Sequence, residues 1–398
     1  MSGNKRIKIG IIASLTGRNS KAGKGMLDSA SYMIEKKCGK LEKKGISIEL
    51  VVKDDSSDSS SSVSKAKELV EEDCLAIFGP TDSHTFRKIL NSGVCENIPV
   101  FSTIASATYL SKLEVENFFR FTTPDFIRAE ILVRSVRRLY PNSLVHVGAL
   151  EGAELSYGQQ LKKDVINALE KYNIKWVSFD YDGDGVGGNF KEQSNDEPII
   201  ACGPSASIVS LALKVREKYK RSQFFAFGSN TNLLHDSLIH TIVVCDLDRE
   251  DTNPIARDEI DHFSAQYSEN SDPDLSTMNA ISTLCNVLAE NSKTIASSEL
   301  PSARFNLLNI LKTGAHKALI GQVSFTESGE MAGYENILLM RVAKKKGKYM
   351  FSPLDREEKA LLQDKRWWKD KAKKVLTIVG SIASIMALMW VIYEKLIE

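Results

Sequence analysis

Cysteine pairs, clustered histidines and an excess of either charge are all missing from this chain. Its six thiols, Cys38, Cys74, Cys95, Cys202, Cys245 and Cys285, are scattered without any C-x-x-C, which excludes zinc-ribbon and thioredoxin-like chemistry. Four of them lie in or beside apolar runs, so buried free thiols in a reducing compartment are expected. The histidines, His84, His146, His235, His240, His262 and His316, show no H-x-x-x-H spacing, so no zinc site is indicated. Lys and Arg number 52 against 51 Asp and Glu, and no long-range field draws the protein to nucleic acid.

Motifs of chemistry are absent as well. The stretch "IGIIASLTGRNSKAGKG" comes nearest to a phosphate loop, but five residues separate Gly17 from Gly23, and Gly25 stands where the magnesium-binding hydroxyl belongs. "DYDGDGVGGNFKE" opens like a calcium loop with Asp180, Asp182 and Asp184, yet Lys191 occupies the position of the bidentate glutamate. His84 adjoins Ser83, but neighbours at a helix start point apart, and no G-x-S-x-G elbow exists. "KDDSSDSSSSVS" is accounted for by a strand end followed by a helix cap. Neither an enzyme nor a cofactor or metal is expected.

What the chain does have is alternation. "RIKIGIIAS", "ISIELVVKDD", "CLAIFGP" and "IPVFST" read as strands, separated by the helical patterns "GMLDSASYMIEKKCGKL", "SSVSKAKELVEED" and "HTFRKILNSGVCEN". The pattern restarts near residue 143 with "SLVHVGAL", "SYGQQLKKDVINALEKY", "IKWVSFD", "EPIIACGP", "SASIVSLALKVREKY" and "SQFFAFGS". Such alternation makes parallel sheets covered on both faces, here in two successive lobes. Two strand ends, "IFGPTDS" and "PVFSTIASA", deliver small hydroxylated residues to a carboxyl edge, where ligands of such sheets sit.

The far end differs. Val375 to Tyr393, "VLTIVGSIASIMALMWVIY", runs 19 residues without a charge, about 28 Å as a helix, and reads as a membrane span. Lys365, Arg366, Lys369, Lys371, Lys373 and Lys374 crowd its N-terminal flank. By the rule that basic flanks stay inside, the body is expected in the cytoplasm on a single-pass tail anchor. No secretory signal is read at the N-terminus. Gly380 and Ser384 share a small-residue face that permits helix–helix approach and a homo-oligomer.

Seven stretches in order, "IKIGIIASLTG....AGKG", "IELVVKDDSSDSSSSVSKAKELVEED", "AIFGPTDS", "IPVFSTIASA", "FFRFTTPD", "SYGQQL" and "GQVSFTESGEMAGYENILLMRVAKKKGKYMF", resemble the type I periplasmic binding proteins, and within them the leucine/isoleucine/valine-binding group. The resemblance covers about residues 5 to 353. It implies an α/β protein of two Rossmann-like lobes with a ligand cleft, residues 5–122 with 247–325 and residues 123–246 with 326–353. A charged juxtamembrane helix, 354–374, and the span, 375–393, follow.

The resemblance also implies a site. A ligand α-carboxylate is held by Ser83 and Ser106, which match the family's hydroxyls after the third and fourth strands. The Ile104 backbone serves an ammonium, and Tyr157 lines the cleft from the second lobe. Asn230 stands where the family has an acid for the ammonium, Ala22 and Ser205 or Pro204 where it has aromatics. The expectation is a membrane-anchored, non-enzymatic sensor of a small carboxylate or amino-acid-like ligand, passing lobe closure to its helix or a protein partner. The alternative is the substrate-binding component of a branched-chain amino-acid uptake transporter.

Overall fold

The computed structural model describes residues 4–151, 156–181, 197–218, 223–228, 236–245, 254–267, 271–332, 338–345 and 348–353. The expected span at 375–393, the juxtamembrane segment 354–374, Asn230 and most of the calcium-like loop lie outside them. Among the described residues no helix is long and apolar enough to cross a membrane.

The first lobe is built from β1 (Lys5–Ala13), α1 (Ser20–Glu42), β2 (Ile46–Asp54), α2 (Ser59–Glu71), β3 (Ala76–Phe78), α3 (Ser83–Asn91), β4 (Val100–Ser102) and β5 (Phe118–Arg120). Its five strands run parallel in the order β2-β1-β3-β4-β5. The chain then enters α4 (Asp125–Leu139), β6 (Val145–Leu150), α5 (Tyr157–Lys171), β7 (Trp176–Tyr181), β8 (Ile199–Gly203), α6 (Ser205–Lys218), β9 (Phe224–Gly228) and β10 (Ile242–Cys245). After α7 (Pro254–Gln266), α8 (Leu275–Glu290), α9 (Ser292–Ile295), α10 (Leu300–Lys312) and the short pair β11 (His316–Lys317) and β12 (Gln322–Val323), it closes with the hairpin β13 (Leu338–Lys345) and β14 (Lys348–Pro353). That hairpin joins the second sheet antiparallel, giving the order β14-β13-β10-β9-β8-β6-β7.

Each sheet is covered on both faces, as buried parallel strands require. On one face of the first sheet α1, α8 and α10 contribute Met26, Met33, Ile281, Leu288 and Leu307 to the core; α2 and α3 supply Leu69, Phe86 and Ile89 on the other. The second sheet has α4 and α5 on one face, through Leu132, Val136, Leu161 and Val165, and α6 on the other, through Ile208 and Leu211. Helix α8 is buried from Leu275 to Ala289 without interruption, and so exposes no face to solvent.

One expectation is corrected. The glycine-rich stretch is not all turn: α1 starts at Ser20, five residues earlier than the apolar spacing indicates, and takes Gly23 and Gly25 into its first turns. Both are sites of close approach. A Cβ on Gly23 would lie 2.1 Å from the Ser14 carbonyl oxygen, and one on Gly25 would lie 2.4 Å from that of Asp272.

Cys74, Cys95, Cys202 and Cys285 are buried free thiols, while Cys38 is exposed. Burial pushes the Cys74 thiol up to about 11 and those of Cys95 and Cys285 up to about 12, so they stay protonated and unreactive at neutral pH.

Candidate functional site

The carboxyl ends of β1 to β4 carry a run of short polar side chains, several of them tied into hydrogen bonds. Asp54, last in β2, accepts N–H bonds from Leu15 and Ser56 at 2.8 Å and the Thr16 hydroxyl at 2.7 Å, which pins the β1–α1 turn. Burial pushes its carboxyl up, but the Thr16 hydroxyl and these N–H groups more than offset that and hold it below the usual carboxylate range. Asp55 is buried, and accepts the Ser14 hydroxyl at 2.6 Å, the Ser57 N–H at 3.0 Å and the Ser62 hydroxyl at 3.2 Å. The Ser14 hydroxyl has one proton, and it is committed to Asp55 Oδ1. Thr81, 3.3 Å from Ser14, is therefore the donor between the two hydroxyls.

At the end of β3 it is Asp82 that caps α3, accepting from the Thr85 N–H at 2.9 Å. Ser83, one residue on, is thereby spared the capping role. Its Oγ accepts the Ala107 N–H at 3.2 Å. This bond brings the loop after β3 against the loop after β4, which contains Ile104 and Ser106, both half-buried.

That second loop is fastened from beneath. The Ser106 carbonyl accepts from Arg120 Nη1 at 3.0 Å and from the Asp125 N–H at 2.9 Å. Arg120 is fully buried; it also donates to the Ala107 carbonyl at 3.2 Å, Ser111 Oγ at 2.9 Å and Glu330 Oε1 at 2.7 Å. Behind the loop, Thr103 and Thr277 share a 2.7 Å bond, and Thr277 donates to Asp274, the cap of α8, at 2.6 Å.

The second sheet presents a different surface. Among the described residues five large hydrophobics are exposed, and two of them, Leu150 at the end of β6 and Tyr157 at the start of α5, stand at its carboxyl edge. Gly228 ends β9 so close to the neighbouring strand that a Cβ would sit 1.9 Å from the Gly203 oxygen. Its carbonyl accepts from Arg128 Nη2 of α4 at 3.2 Å.

Of the expected residues, Ser83, Ile104 and Ser106 thus share one pair of contacting loops, and Tyr157 lies on the other sheet. Leu150, Arg120 and Thr103 were missed. A buried Arg inside "FFRFTTPD" is the only one of these with a sequence signal, because a strand flanked by aromatics does not bury a guanidinium without partners. Among the described residues no three His, Cys, Asp or Glu side chains are grouped for a metal. The Ser83 Oγ engages a backbone N–H rather than a base. The arrangement suits binding by hydroxyl and N–H donors, which hold a carboxylate without a buried counter-charge.

Comparison with known proteins agrees with the architecture. A family model described as periplasmic binding protein matches residues 6–193. By sequence, no curated protein matches. Solved structures similar in fold include an ABC transporter substrate-binding protein from Desulfitobacterium hafniense in complex with Leu, at 14% identity and a TM-score of 0.66 over 87% of this chain and 99% of the other. A leucine-binding protein LivK from Thermotoga maritima is 15% identical, with a TM-score of 0.67 over 88% and 99%. A solute-binding protein from R. palustris in complex with 4-hydroxybenzoate is 12% identical, with a TM-score of 0.68 over 88% and 96%.

Proposed function

We propose, from the two-lobed type I periplasmic binding protein fold of this chain, that it is a non-catalytic small-molecule binding protein of the substrate-binding kind that serves an ABC uptake transporter. In this reading the lobes, 5–122 with 247–325 and 123–246 with 326–353, close on a small carboxylate with an apolar body, amino-acid-like or aromatic. Ser83, Ser106 and the Ile104 backbone hold its polar end, while Leu150 and Tyr157 cover the apolar end. The observation that carries the reading is the Ser83–Ala107 bond, which joins two hydroxyl-bearing loops on one sheet, together with two exposed apolar side chains at the carboxyl edge of the other. The substrate-binding proteins of similar fold hold leucine or benzoates, and both ligands fit that division of labour.

The test is a thermal-shift screen of the full chain against leucine, isoleucine, valine, benzoate and 4-hydroxybenzoate. A ligand at about 100 times its Kd adds about 2.7 kcal/mol, which raises the midpoint by about 5–10 °C for lobes of this size. The expected result is a shift with one ligand class that Ser83→Ala abolishes; no shift with any of the five overturns the reading.

A second reading is favoured by one sequence observation, the uncharged run 375–393 behind its basic flank. There the same binding module is a single-pass sensor facing the cytoplasm, signalling through helix oligomerisation or a protein partner. Protease added to intact cells separates the two: an uptake protein is digested from outside, a cytoplasmic sensor is protected.

A further inference from the structure

A cavity of 360 Å³ opens where the two lobes meet, within the usual size range of small-molecule sites. One wall is the 3-10 turn Thr108–Lys112 of the first lobe, which follows the loop after β4. The other is made by Phe126 and Glu130 of α4 and by Asp164, Asn167 and Ala168 of α5. None of the residues placed in the cleft above lines it. Helix α5 opens at the cleft edge with Tyr157, and Asp164 lies two turns further on, about 10 Å down the helix axis. The cavity is therefore a space of its own beside the cleft.

Asp164 is the buried acid of this cavity. The residue is only 8% exposed, and its Oδ2 accepts the Thr108 hydroxyl at 2.7 Å. Among the described residues that hydroxyl is its one hydrogen-bonding partner, and no cation pairs with it, so Oδ1 is left unused at the cavity wall. The neighbouring charges are spent or in water. Glu130 is held by Lys171, Asp125 pairs with Arg128 at 3.3 Å, and Lys112 is exposed at the rim. Burial pushes the Asp164 carboxyl up to about 6, against the pull of the Thr108 hydroxyl, as befits an acid short of a counter-charge. A buried carboxylate is stabilised by pairing, and here the partner is missing while the space for one is present.

We propose that the cavity is a second ligand site, for a small primary amine with an apolar body: the ammonium bonds Asp164 Oδ1, and the carbon body lies along Phe126 and Ala168. An ammonium has further protons to place, and the Ser111 hydroxyl and Asn167 amide, both lining the cavity, carry acceptors for them. A divalent metal ion asks for about six or more oxygen ligands, and among the described residues no three His, Cys, Asp or Glu side chains are grouped to hold one. A carboxylate ligand, which suits the hydroxyls of the cleft, is repelled by Asp164. The two sites thus take opposite charges, and the amine site does not depend on the reading of the cleft.

The experiment is a calorimetric titration of the full chain at neutral pH with phenethylamine and with phenethyl alcohol, which has nearly the same shape and no charge. Phenethylamine is expected to bind saturably, and phenethyl alcohol at least about tenfold more weakly, the loss of one charge-assisted bond. Asp164→Asn, whose neutral amide still offers Thr108 an acceptor, is expected to weaken phenethylamine by the same factor. Asn167→Trp fills the cavity from an exposed position and leaves the acid in place; it is expected to abolish binding. Ser83→Ala, in the cleft, leaves binding unchanged. No binding of phenethylamine, binding that either cavity variant retains in full, or binding that Ser83→Ala abolishes overturns the proposal. A failed screen of the cleft ligands leaves this result standing, and a failure here leaves the cleft reading untouched.

Discussion

Asp54 and Asp55 stand side by side at the end of β2 and do separate work, because successive residues of a strand point to opposite sides. Asp54 gathers the β1–α1 turn; Asp55 turns inward to three donors. Arg120 and Glu330 show the costlier form of the same economy, a buried pair 2.7 Å apart with exposures of 0% and 8%. Their net worth is modest, since desolvation offsets most of the attraction, but removing one partner strands the other. Arg120→Met is therefore expected to cost about 3–5 kcal/mol in urea unfolding. The double variant Arg120→Met/Glu330→Met recovers much of that loss.

At the scale of elements, α3 separates two roles that adjacent residues could have shared. The helix is capped by Asp82, so Asp82→Ala is expected to lower the unfolding free energy by about 1 kcal/mol. Ser83→Ala gives up the bond from the Ala107 N–H and is expected to cost about 0.5–1.5 kcal/mol in the absence of ligand, so ligand-induced stabilisation in that variant is read against its own ligand-free midpoint. Helix α1 depends on a close approach. Gly23→Ala drives a methyl toward the Ser14 carbonyl oxygen, 2.1 Å away, and the end of β1 must move. A loss of about 1–3 kcal/mol, read from the urea midpoint, is expected, with weaker protection of the Ser14 to Thr16 amides in hydrogen exchange.

For the whole molecule, acid acts in two opposite senses. Asp164 titrates higher folded than unfolded, so its ionisation destabilises the fold; that penalty disappears as pH falls from 7 toward 4. Glu259 behaves oppositely. Burial raises its carboxyl, but Lys36, at 2.6 Å, and the Tyr32 hydroxyl, at 2.7 Å, bring it below 4.5. Its contribution joins α7 to α1, is present above pH 4.5, and is lost as pH falls through its folded value, as is that of Asp54. Chemical unfolding across pH is therefore expected to show greatest stability between about pH 4 and 6. Asp164→Asn should remove the rise between pH 7 and 5 while leaving the acid limb intact.

The alternation of strands and helices, the restart near residue 143 and the closing hairpin were all legible in the order of residues. Period-two and period-3.6 burial are local properties, and each segment carries its own. Ser83 and Ser106 were legible as residues at carboxyl edges, because a parallel sheet places its ligands there. What no local pattern holds is which loops touch. The seating of Ser83 on Ala107, the exposure of Leu150 beside Tyr157, the burial of Arg120 with a glutamate 210 residues away and the meeting of Asp164 with Thr108 are products of packing. The start of α1 was misread for the same reason. Glycine disfavours a helix by its own propensity, and only the carbonyl oxygens of Ser14 and Asp272, delivered by other segments of the chain, make two glycines the residues that fit there.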